Sequence, residues 1–547
     1  MALLAYEFWC SLGDEEVNRF KGESTPVALN LSQNLSSSSI KKSNRKYFHT
    51  YYKQLIEIIL SNITPKEEDE EESDTWTYSK ASSYLLHIMV QVIDYELFEQ
   101  ILKYIDIEII SENLSSKIIA LLFFAVCCDT STHKIRMHEF INSHLSKIIN
   151  YLFHKNHLVQ SSASLCLVKI SKYFGKSGIF DSHTLNTVIP AFINALPSKN
   201  KIAINICQSL IHIAKAVGDL DTIKNSNMMS IFFEKVFSEL VSNAYRVGAM
   251  DKDANLTMNC FLVINTLIEY SSHDKQEKLS EILIFFLTQF EGTLSPVENQ
   301  TISSLGSTNT MDAIFMLQSY YCTVFRAVFK KLLKKISKEV GLKIYTLLEG
   351  SFKQRQTVYD EAILCLGALA INIGQGFEPI MEKFSDYLFY SIQKIDETSL
   401  CKASIITLGS VTRAIGINIY KFSDKFIPVL LEILTNENAS RYCKLVSITT
   451  IGEICMAINE HFLKYLDTIM KLFLSAANLA TSIPDLDDED TIDYLKDLRF
   501  ELIEAFTFIS FGLDDCNKKN VFVPYVPQIF AFFKIIVEDA YPQRAVS

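Results

Sequence analysis

The chain has 547 residues, of which 48 % are hydrophobic and 21 % are charged, and its formal net charge is −11. It is too long for one ordinary core and too hydrophobic for an intrinsically disordered chain. The acidic balance disfavours nucleic acid as a partner and favours a basic protein. With only 17 glycines and 11 prolines, the composition argues against a turn-rich β protein and for long helices.

The 12 cysteines form no CxxC pair and no set of Cys and His at metal-ligand spacing. We therefore expect reduced, buried thiols in a cytosolic protein. The first residues have too short an apolar part, and no basic leader, for a secretory signal. The longest apolar run, residues 118–128, is 11 residues long, whereas a membrane span needs about 20. This predicts no membrane insertion.

Two polar stretches interrupt the apolar pattern early in the chain. Residues 26–46 (PVALNLSQNLSSSSIKKSNRK) are rich in serine, which predicts a flexible insertion. Residues 64–75 form an acidic loop between two apolar helical stretches, and Trp76 follows it. The acidic side chains of this loop are Glu67, Glu68, Asp69, Glu70, Glu71, Glu72 and Asp74. From composition alone the loop fits a solvated segment with Trp76 as a packing plug, and also a surface for a basic partner.

Similar helical segments recur from residue 163 onwards. Each one starts with a small residue, carries apolar residues at helical spacing, and ends on Gly or Asn, which tolerate the left-handed conformation that closes a helix. These endings are Gly175, Gly218, Gly374, Gly416 and Asn459. The first two are 43 residues apart, and the last three follow at 42 and 43 residues. Such a period is typical of two-helix solenoid units of the HEAT type.

An apolar segment precedes each of these helices, for example residues 185–196 and 420–434. The chain therefore contains about eleven to twelve predicted helical pairs, and neighbouring pairs must stack because one pair cannot bury its apolar stripe alone. We predict an all-α fold, a HEAT-repeat α-solenoid of antiparallel helix pairs, as a single solenoid over residues 1–547. Small residues such as Gly409 and Gly452 are expected to let its helices approach closely.

A basic cluster lies at residues 329–338 (FKKLLKKISK). The pattern predicts one helix with lysines on one side and Phe329, Leu332 and Leu333 on the other. A solvated face is the main interpretation, and a nucleic-acid stripe is the weaker alternative on an acidic chain.

Motifs for catalysis do not occur in the sequence. There is no GxxxxGK[ST] phosphate loop, no HExxH zinc motif and no GxSxG nucleophile elbow. We therefore predict a protein that is not an enzyme, with no catalytic residues, no metal site and no cofactor.

Three segments resemble importin-β, the karyopherin-β family of nuclear import receptors. Residues 7–16 match its EFW-x4-DEE segment, the acidic run before Trp76 resembles its acidic loop, and residues 491–513 are similar to its DYLxELR…LEAYxxIxxGL segment. The likeness covers the middle and most of the C-terminal half of the family pattern. We therefore expect a piece of a longer protein that lacks the family's N-terminal repeats and its last C-terminal repeats.

The resemblance implies a monomeric receptor that moves between cytoplasm and nucleus through the nuclear pore. Its acidic inner face would bind the importin-β-binding helix of an importin-α adaptor, or basic cargo directly. Ran-GTP would release the load, and Phe-Gly nucleoporins would dock between outer helices. In the family the acidic loop contacts Ran and the adaptor, which assigns Glu67–Asp74 and Trp76 to partner binding. A generic HEAT-repeat scaffold for a multiprotein assembly is the alternative function.

The resemblance also suggests weaker partner-binding candidates on the inner face. These are Asn205, Asp360, Glu361 and Glu453. Two tryptophans that stack on adaptor arginines in the family are replaced here by Leu165 and Gln208. Their loss favours direct cargo, or an adaptor that is held mainly by acidic side chains.

Overall fold

A computed structural model describes residues 2–24, 47–62, 78–92, 95–130, 133–218, 225–247, 249–250, 255–294, 310–352, 359–481 and 489–538. The insertion predicted at residues 26–46 and the acidic loop predicted at residues 64–75, together with Trp76, lie outside these ranges. Both stay predictions.

Every regular element in the described ranges is a helix, which confirms the all-α class. The described residues fall into two compact units, one that ends at Lys275 and one that begins at Gln276. They hold ten complete helix pairs, with one further helix before the first pair and one after the last.

The described part of the first unit contains eleven α-helices. They are α1 (Ala2–Ser24), α2 (Tyr47–Asn62), α3 (Tyr78–Val92), α4 (Tyr95–Glu108), α5 (Leu114–Thr130), α6 (Lys134–Tyr151), α7 (His157–Phe174), α8 (Ser182–Ala195), α9 (Asn200–Val217), α10 (Phe233–Ala244) and α11 (Leu256–Glu269).

The second unit also contains eleven within its described ranges. They are α12 (Gln276–Leu294), α13 (Thr310–Lys331), α14 (Lys338–Phe352), α15 (Tyr359–Ile373), α16 (Glu378–Ile392), α17 (Thr398–Ile415), α18 (Tyr420–Thr435), α19 (Arg441–Ile458), α20 (Leu463–Ala480), α21 (Glu489–Asp515) and α22 (Val526–Glu538).

Within each unit the helices form two layers. The odd-numbered helices, which are the second members of the pairs, pack extensively against one another along the stack. The even-numbered helices contact their own pair partner and touch each other less. We call the odd-numbered set the second-helix layer and the even-numbered set the first-helix layer.

Hydrogen bonds between neighbouring second helices join residues that are about one sequence period apart. The Thr407 hydroxyl donates to the Ile363 carbonyl at 3.0 Å, 44 residues away. The Asn372 amide donates to the Phe329 carbonyl at 3.2 Å, 43 residues away. Equivalent positions of successive repeats therefore lie side by side, as the spacing of Gly and Asn predicts.

Exposed polar contacts link the first helices of the second unit. Lys421 of α18 pairs with Glu378 of α16. Asp424 of α18 accepts from Lys464 of α20 at 2.6 Å. Solvent-exposed ion pairs contribute about 0–1 kcal/mol each, so most of the stability comes from apolar burial between the layers.

Three of the five predicted helix endings adopt a positive φ. Gly374, Gly416 and Asn459 have φ of 70°, 58° and 49°, and a 3₁₀ turn follows each of them. Helices also end at Gly175 and Gly218 as predicted, but neither residue is left-handed. Gly175 has a φ of −54° and the left-handed residue is Gly178, while the backbone of Gly218 is extended.

The single helix predicted across residues 329–338 is wrong as well. Helix α13 ends at Lys331, and α14 begins at Lys338. The Asn372 side chain explains the break, because its amide donates to the Leu332 carbonyl at 3.2 Å and its oxygen accepts from the Ile336 N–H at 2.8 Å. These bonds hold the connection in a non-helical turn.

Two residues of the segments that carry the family resemblance have structural roles. Glu16 of α1 is buried and accepts hydrogen bonds from the N–H groups of Tyr47 and Phe48, so it caps the start of α2. Arg499 of α21 is also buried, and its Nε donates to the Ala480 carbonyl at the end of α20 at 2.9 Å.

Among the described residues, three stretches are long and apolar enough to cross a membrane by length and composition alone, namely Tyr359–Ile392, Thr398–Thr435 and Lys519–Glu538. The first two each contain two helices joined by a 3₁₀ turn. The side chains of these first two stretches are mostly buried against other helices, so packing within the fold accounts for the apolar character of both.

Candidate functional site

An acidic stripe runs along helix α21. Asp497, Glu501 and Glu504 are spaced by four and three residues, which places them on one face of the helix. Asp497 is exposed, while the other two are half-buried. Glu453 of the neighbouring helix α19 lies close enough to interact electrostatically with Glu501 and Glu504. We call these four residues the acidic cluster.

The cluster has an excess of negative charge. Burial is the main cause that raises the pKa of Glu501 to about 7, and the other three carboxylates of the cluster raise it further. No basic side chain in the described part of the chain is among the groups that shift this pKa. A carboxylate in such surroundings gains free energy when a cation arrives, because the cation offsets both the repulsion and the desolvation.

Small residues make this arrangement possible. A Cβ atom at Gly452 would lie 2.9 Å from the Cα of Ala505, and one at Gly512 would lie 2.8 Å from the Cα of Met456. Helices α19 and α21 therefore approach with almost no side chain between them. This close approach brings Glu453 to the stripe on α21.

Glu453 already has one internal partner. It is buried, and it forms an ion pair with Arg413 of α17, a residue that is half-exposed. Arg413 also donates to the Ser410 hydroxyl at 3.2 Å. Burial is the largest influence on Glu453 and raises its pKa, although Arg413 opposes the shift. Among the described residues, Arg413 is the one basic group that shifts the pKa of Glu453.

The predicted site residues Asp360 and Glu361 lie elsewhere, in the first turn of α15. Glu361 faces Arg326 of α13 at 3.3 Å. The pKa of Glu361 is raised, mainly by burial. Arg326 opposes this increase, and Asp360 adds to it. One further second helix, α17, stands between α15 and Glu453 on α19. The structure therefore joins Glu453 to α21 and leaves Asp360 and Glu361 as a separate acidic pair.

The first unit presents a different face on α7 and α9. Leu165 is half-buried and Gln208 is exposed, at the two positions where the resemblance leads one to expect tryptophan. Asn205, the third candidate there, donates to the Ser164 hydroxyl at 2.9 Å. Its amide therefore bridges α9 to α7.

Basic side chains accompany these positions. Lys172 of α7 and Lys215 of α9 are exposed, and both lower the pKa of His212, for which burial is the larger cause. The three side chains therefore share one patch. Lys169 of α7 lies one turn from Leu165 and pairs with Asp129 of α5. This face of α7 and α9 is basic, not acidic.

A groove opens between the first helices α18 and α20. Its volume is about 530 Å³, within the usual range for ligand pockets. The walls are mostly apolar or carry aliphatic stems, and they consist of Pro428, Leu431, Glu432, Thr435, Thr468, Lys471 and Leu472.

The sequence analysis identified Glu453 but missed its three neighbours on α21. A signal existed in the sequence, because residues 497, 501 and 504 are acidic at helical spacing. Their proximity to Glu453 follows from the register of α19 against α21, which one sequence does not reveal.

A family model described as importin subunit beta-1-like, TPR repeats, matches residues 187–547. The importin subunit beta-1 of Saccharomyces cerevisiae is 24 % identical over 543 residues, which cover 98 % of this chain and 59 % of that protein. The importin subunit beta-1 of Arabidopsis thaliana is 23 % identical over 556 residues, with 98 % and 60 % covered. This chain therefore spans about 60 % of the length of these relatives.

Solved structures show the same fold. Importin beta crystallised in ammonium sulfate superposes with a TM-score of 0.82 at 22 % identity, covering 98 % of this chain and 60 % of that one. The Kap95:Nup1 complex gives a TM-score of 0.80 at 22 % identity, with 98 % and 59 % covered. A complex of Kap95p with RanGDP gives 0.69 at 22 % identity, with 98 % and 60 % covered.

These matches confirm the predicted solenoid of HEAT repeats. The period of 42 to 43 residues fits HEAT units, which have about 40–47 residues, better than TPR units of about 34. The match to the family model extends over more than half of the chain. This chain belongs to the importin subunit beta-1-like family.

Proposed function

We propose that this chain is part of a nuclear import receptor that holds a basic protein segment against the acidic cluster on α19 and α21. The observation that carries the proposal is the under-neutralised state of the cluster. Three carboxylates on α21 meet a buried fourth on α19, and the pKa of Glu501 is raised to about 7 by that environment. The occupant is the importin-β-binding helix of an importin-α adaptor, or a basic helix of cargo.

The physical basis of capture is charge complementarity in a partly desolvated site. An arginine in hydrogen-bonding contact with two carboxylates forms a bidentate, charge-assisted pair, which is stronger than an exposed ion pair. The excess negative charge also attracts the basic helix from a distance and raises its association rate. Release then follows when a competing ligand or added salt weakens the same contacts.

The acidic run Glu67–Asp74 and Trp76 form the second part of the proposed partner-binding surface. The resemblance supports this part. Several like charges in one segment raise the local potential, and an indole ring adds about 0.5–2 kcal/mol of cation–π attraction to a lysine or arginine.

Docking of Phe-Gly nucleoporins completes the proposed function. The groove between α18 and α20 is about 530 Å³ in volume, and Pro428, Leu431 and Leu472 form apolar parts of its walls, which suits aromatic side chains on an otherwise extended chain. The relative in the Kap95:Nup1 complex has the same fold. The relative bound to RanGDP supports a Ran-dependent release step. Movement between cytoplasm and nucleus follows from these roles.

The binding test uses an importin-α N-terminal peptide with a fluorescent label, titrated with the full chain. The double variant Glu501→Gln and Glu504→Gln should weaken binding by about tenfold or more, since hydrogen bonds to charged groups contribute about 1.5–3 kcal/mol each. The matched control is Glu382→Gln with Glu437→Gln, which makes the same two substitutions at exposed positions outside α19 and α21. Equal binding by both double variants would refute the proposed site.

The acidic run has a test of its own. Charge reversal of Glu67–Asp74 should lower the association rate of the same peptide and flatten its dependence on salt between about 0.05 and 0.3 M. An unchanged rate at both salt concentrations would remove the run from the proposal and leave the cluster on α19 and α21 in place.

The groove is tested with a Phe-Gly repeat peptide. Replacing Leu472 with Glu should abolish measurable binding, because it removes an apolar wall residue and adds a second carboxylate to walls that already contain Glu432. The basic importin-α peptide should bind that variant normally. Retained Phe-Gly binding would exclude this groove.

A further inference from the structure

The carboxylate of Glu453 lies against helix α17, although the residue belongs to α19. Its Oε1 forms the ion pair with Arg413, which lies in the last turn of α17. Its Oε2 lies so close to Gly409, one helical turn before Arg413, that a Cβ atom there would clash with this oxygen. Both oxygens of the buried Glu453 side chain therefore face α17.

Two features of α17 create this position. Gly409 leaves room for the carboxylate because it has no side chain, and the other α19 group that a Cβ atom there would meet is the Thr450 hydroxyl at 3.3 Å. Arg413 supplies the charge-assisted hydrogen bond that holds the carboxylate in that room. No other residue in the described ranges donates a hydrogen bond to Glu453. Arg413 is therefore the contact that a competing cation has to replace.

Helix α19 packs between α17 and α21 in the second-helix layer. The residue before Glu453 is Gly452, which meets Ala505 of α21, and the residue before Ala505 is Glu504. The backbones at Glu453 and Glu504 are therefore near neighbours. Because side chains occupy discrete staggered rotamers, a change of rotamer is the route by which the Glu453 carboxylate would leave α17 for Glu504.

Arg413 keeps other contacts when it loses Glu453. It donates to the Ser410 hydroxyl at 3.2 Å. It also lies in the last turn of α17, where the partial negative charge of the helix end attracts a cation. Its side chain is half-exposed, so water can solvate the guanidinium. Release of Arg413 therefore costs less free energy than release of a fully buried partner.

We propose that Arg413 is an internal competitor of the basic partner. In the free chain it holds Glu453 on α17, and an arginine of the partner displaces it and draws the Glu453 carboxylate to the stripe on α21. This role rests on the proposed function, because it describes the regulation of the same site. The measured affinity is then lowered by the fraction of chains in which Arg413 occupies Glu453.

The first variant removes the competitor. Arg413→Gln in the full chain should bind the labelled importin-α N-terminal peptide about three- to tenfold more tightly than the wild type, because Glu453 is free before the peptide arrives. The same variant should unfold at a lower urea concentration, because the buried Glu453 has lost its internal partner. A residue that only supports the fold would lower stability without raising affinity.

A second variant leaves every charge in place. Gly409→Ala puts a methyl group where Oε2 of Glu453 lies, and the atom it meets is the far end of a flexible side chain. The carboxylate must therefore move off α17, and peptide binding should tighten by about two- to fivefold. Because alanine favours the interior of a helix, this variant folds even if Arg413→Gln does not.

Two controls test whether the gain in affinity belongs to Glu453. Arg136→Gln on α6 removes the same charge and breaks a pair with Glu99 of α4 at 2.5 Å, and its affinity for the peptide should stay within about twofold of the wild type. In a Glu453→Gln background, Arg413→Gln should give no gain, because the two groups no longer compete for one carboxylate.

The outcomes separate this role from the proposed function. Unchanged or weaker binding by both Arg413→Gln and Gly409→Ala, with wild-type binding intact, would make Arg413 a purely structural residue and overturn the proposal while leaving the acidic cluster as the site. An equal gain from Arg136→Gln would overturn it too, because the effect would then be one of net charge. A wild-type chain that does not bind the peptide would refute the proposed function, and this role with it.

Discussion

The accessible faces of α7 with α9 and of α19 with α21 occupy equivalent places in two second-helix layers, yet they carry opposite charge. On α7 and α9, Lys172 and Lys215 share a patch with His212. On α19 and α21, Glu453 lies near the acidic stripe that contains Glu501 and Glu504. The comparison teaches that the same repeat can carry faces of opposite charge, because a few charged positions per helix set the sign of each face.

The replaced tryptophans belong to the same contrast. Leu165 and Gln208 lie on the pair of helices whose face is basic, where an incoming arginine would meet repulsion. At these positions the loss of aromatic stacking and the gain of positive charge would both weaken binding of a basic partner. A basic partner is therefore expected on α19 and α21, and not on α7 and α9.

The largest expected effect comes from reversing charge on the acidic face. Glu501→Lys with Glu504→Lys should weaken binding of the basic importin-α peptide by about 2–5 kcal/mol, because each new ammonium leaves a buried arginine of the partner without a counter-charge. The matched variant on the other face, Lys172→Glu with Lys215→Glu, should tighten binding slightly or leave it unchanged. Isothermal titration calorimetry gives both affinities. A larger effect on α7 and α9 would invert the comparison.

A packing change tests whether the close approach of α19 to α21 matters. Gly452→Ala places a methyl group where the nearest atom is the backbone of Ala505, and overpacking of this kind costs about 1–3 kcal/mol. Urea unfolding should show that loss. The control Gly292→Ala on α12 meets no atom within 4 Å and should raise stability by about 0.5–1 kcal/mol, because alanine favours the helix. Equal stability of the two variants would contradict the packing shown here.

The acidic cluster should also give a pH dependence. The pKa of Glu501 is raised to about 7 in the folded chain, from about 4.3 in an unfolded one. Its contribution to stability is therefore fully present below about pH 4.3 and is lost as pH rises through about 7. A bound cation favours the ionised form, so affinity for the basic peptide should increase between about pH 6 and pH 8.

The control for this pH dependence is Glu501→Gln, which should flatten the affinity profile between about pH 6 and pH 8 because the titrating group is gone. An equally steep profile in that variant would assign the proton to another group.

The smallest effect is expected from restoring the aromatic side chains. Leu165→Trp with Gln208→Trp should tighten peptide binding by at most about 1 kcal/mol, since cation–π contacts at exposed sites contribute about 0.5–1 kcal/mol and Lys172 and Lys215 repel the same arginines. Met258→Trp on α11 is the control for a new exposed ring. A gain above about tenfold, or 1.4 kcal/mol, would show that α7 and α9 form a major part of the binding surface.

The repeat architecture was predictable from the sequence because its signal is local and repeated. Apolar spacing, small residues and helix endings recur every 42 to 43 residues, and the structure uses Gly374, Gly416 and Asn459 as predicted. At Gly175 the helix ends as predicted, but the left-handed residue comes after the 3₁₀ turn, at Gly178, and not before it. Local patterns locate helix ends well when the connection is short and regular.

The candidate site was predictable only in part, because its geometry depends on contacts between helices. The side chain of Asn372 ends α13 from 36 to 43 residues away along the chain, and no local pattern reports such a contact. Glu361 and Glu453 were readable as acids, but their pairing with Arg326 and Arg413 was not. The acidic run Glu67–Asp74 is the reverse case, since its charge is evident from sequence and its position is not described.

Hydrogen exchange of the full chain, measured with and without the basic importin-α peptide, locates the binding face directly. Slower exchange should appear in α19 and α21, around Glu453, Glu501 and Glu504, while α7 and α9 exchange as in the free protein. Protection of α7 and α9 with no change in α21 would contradict the account.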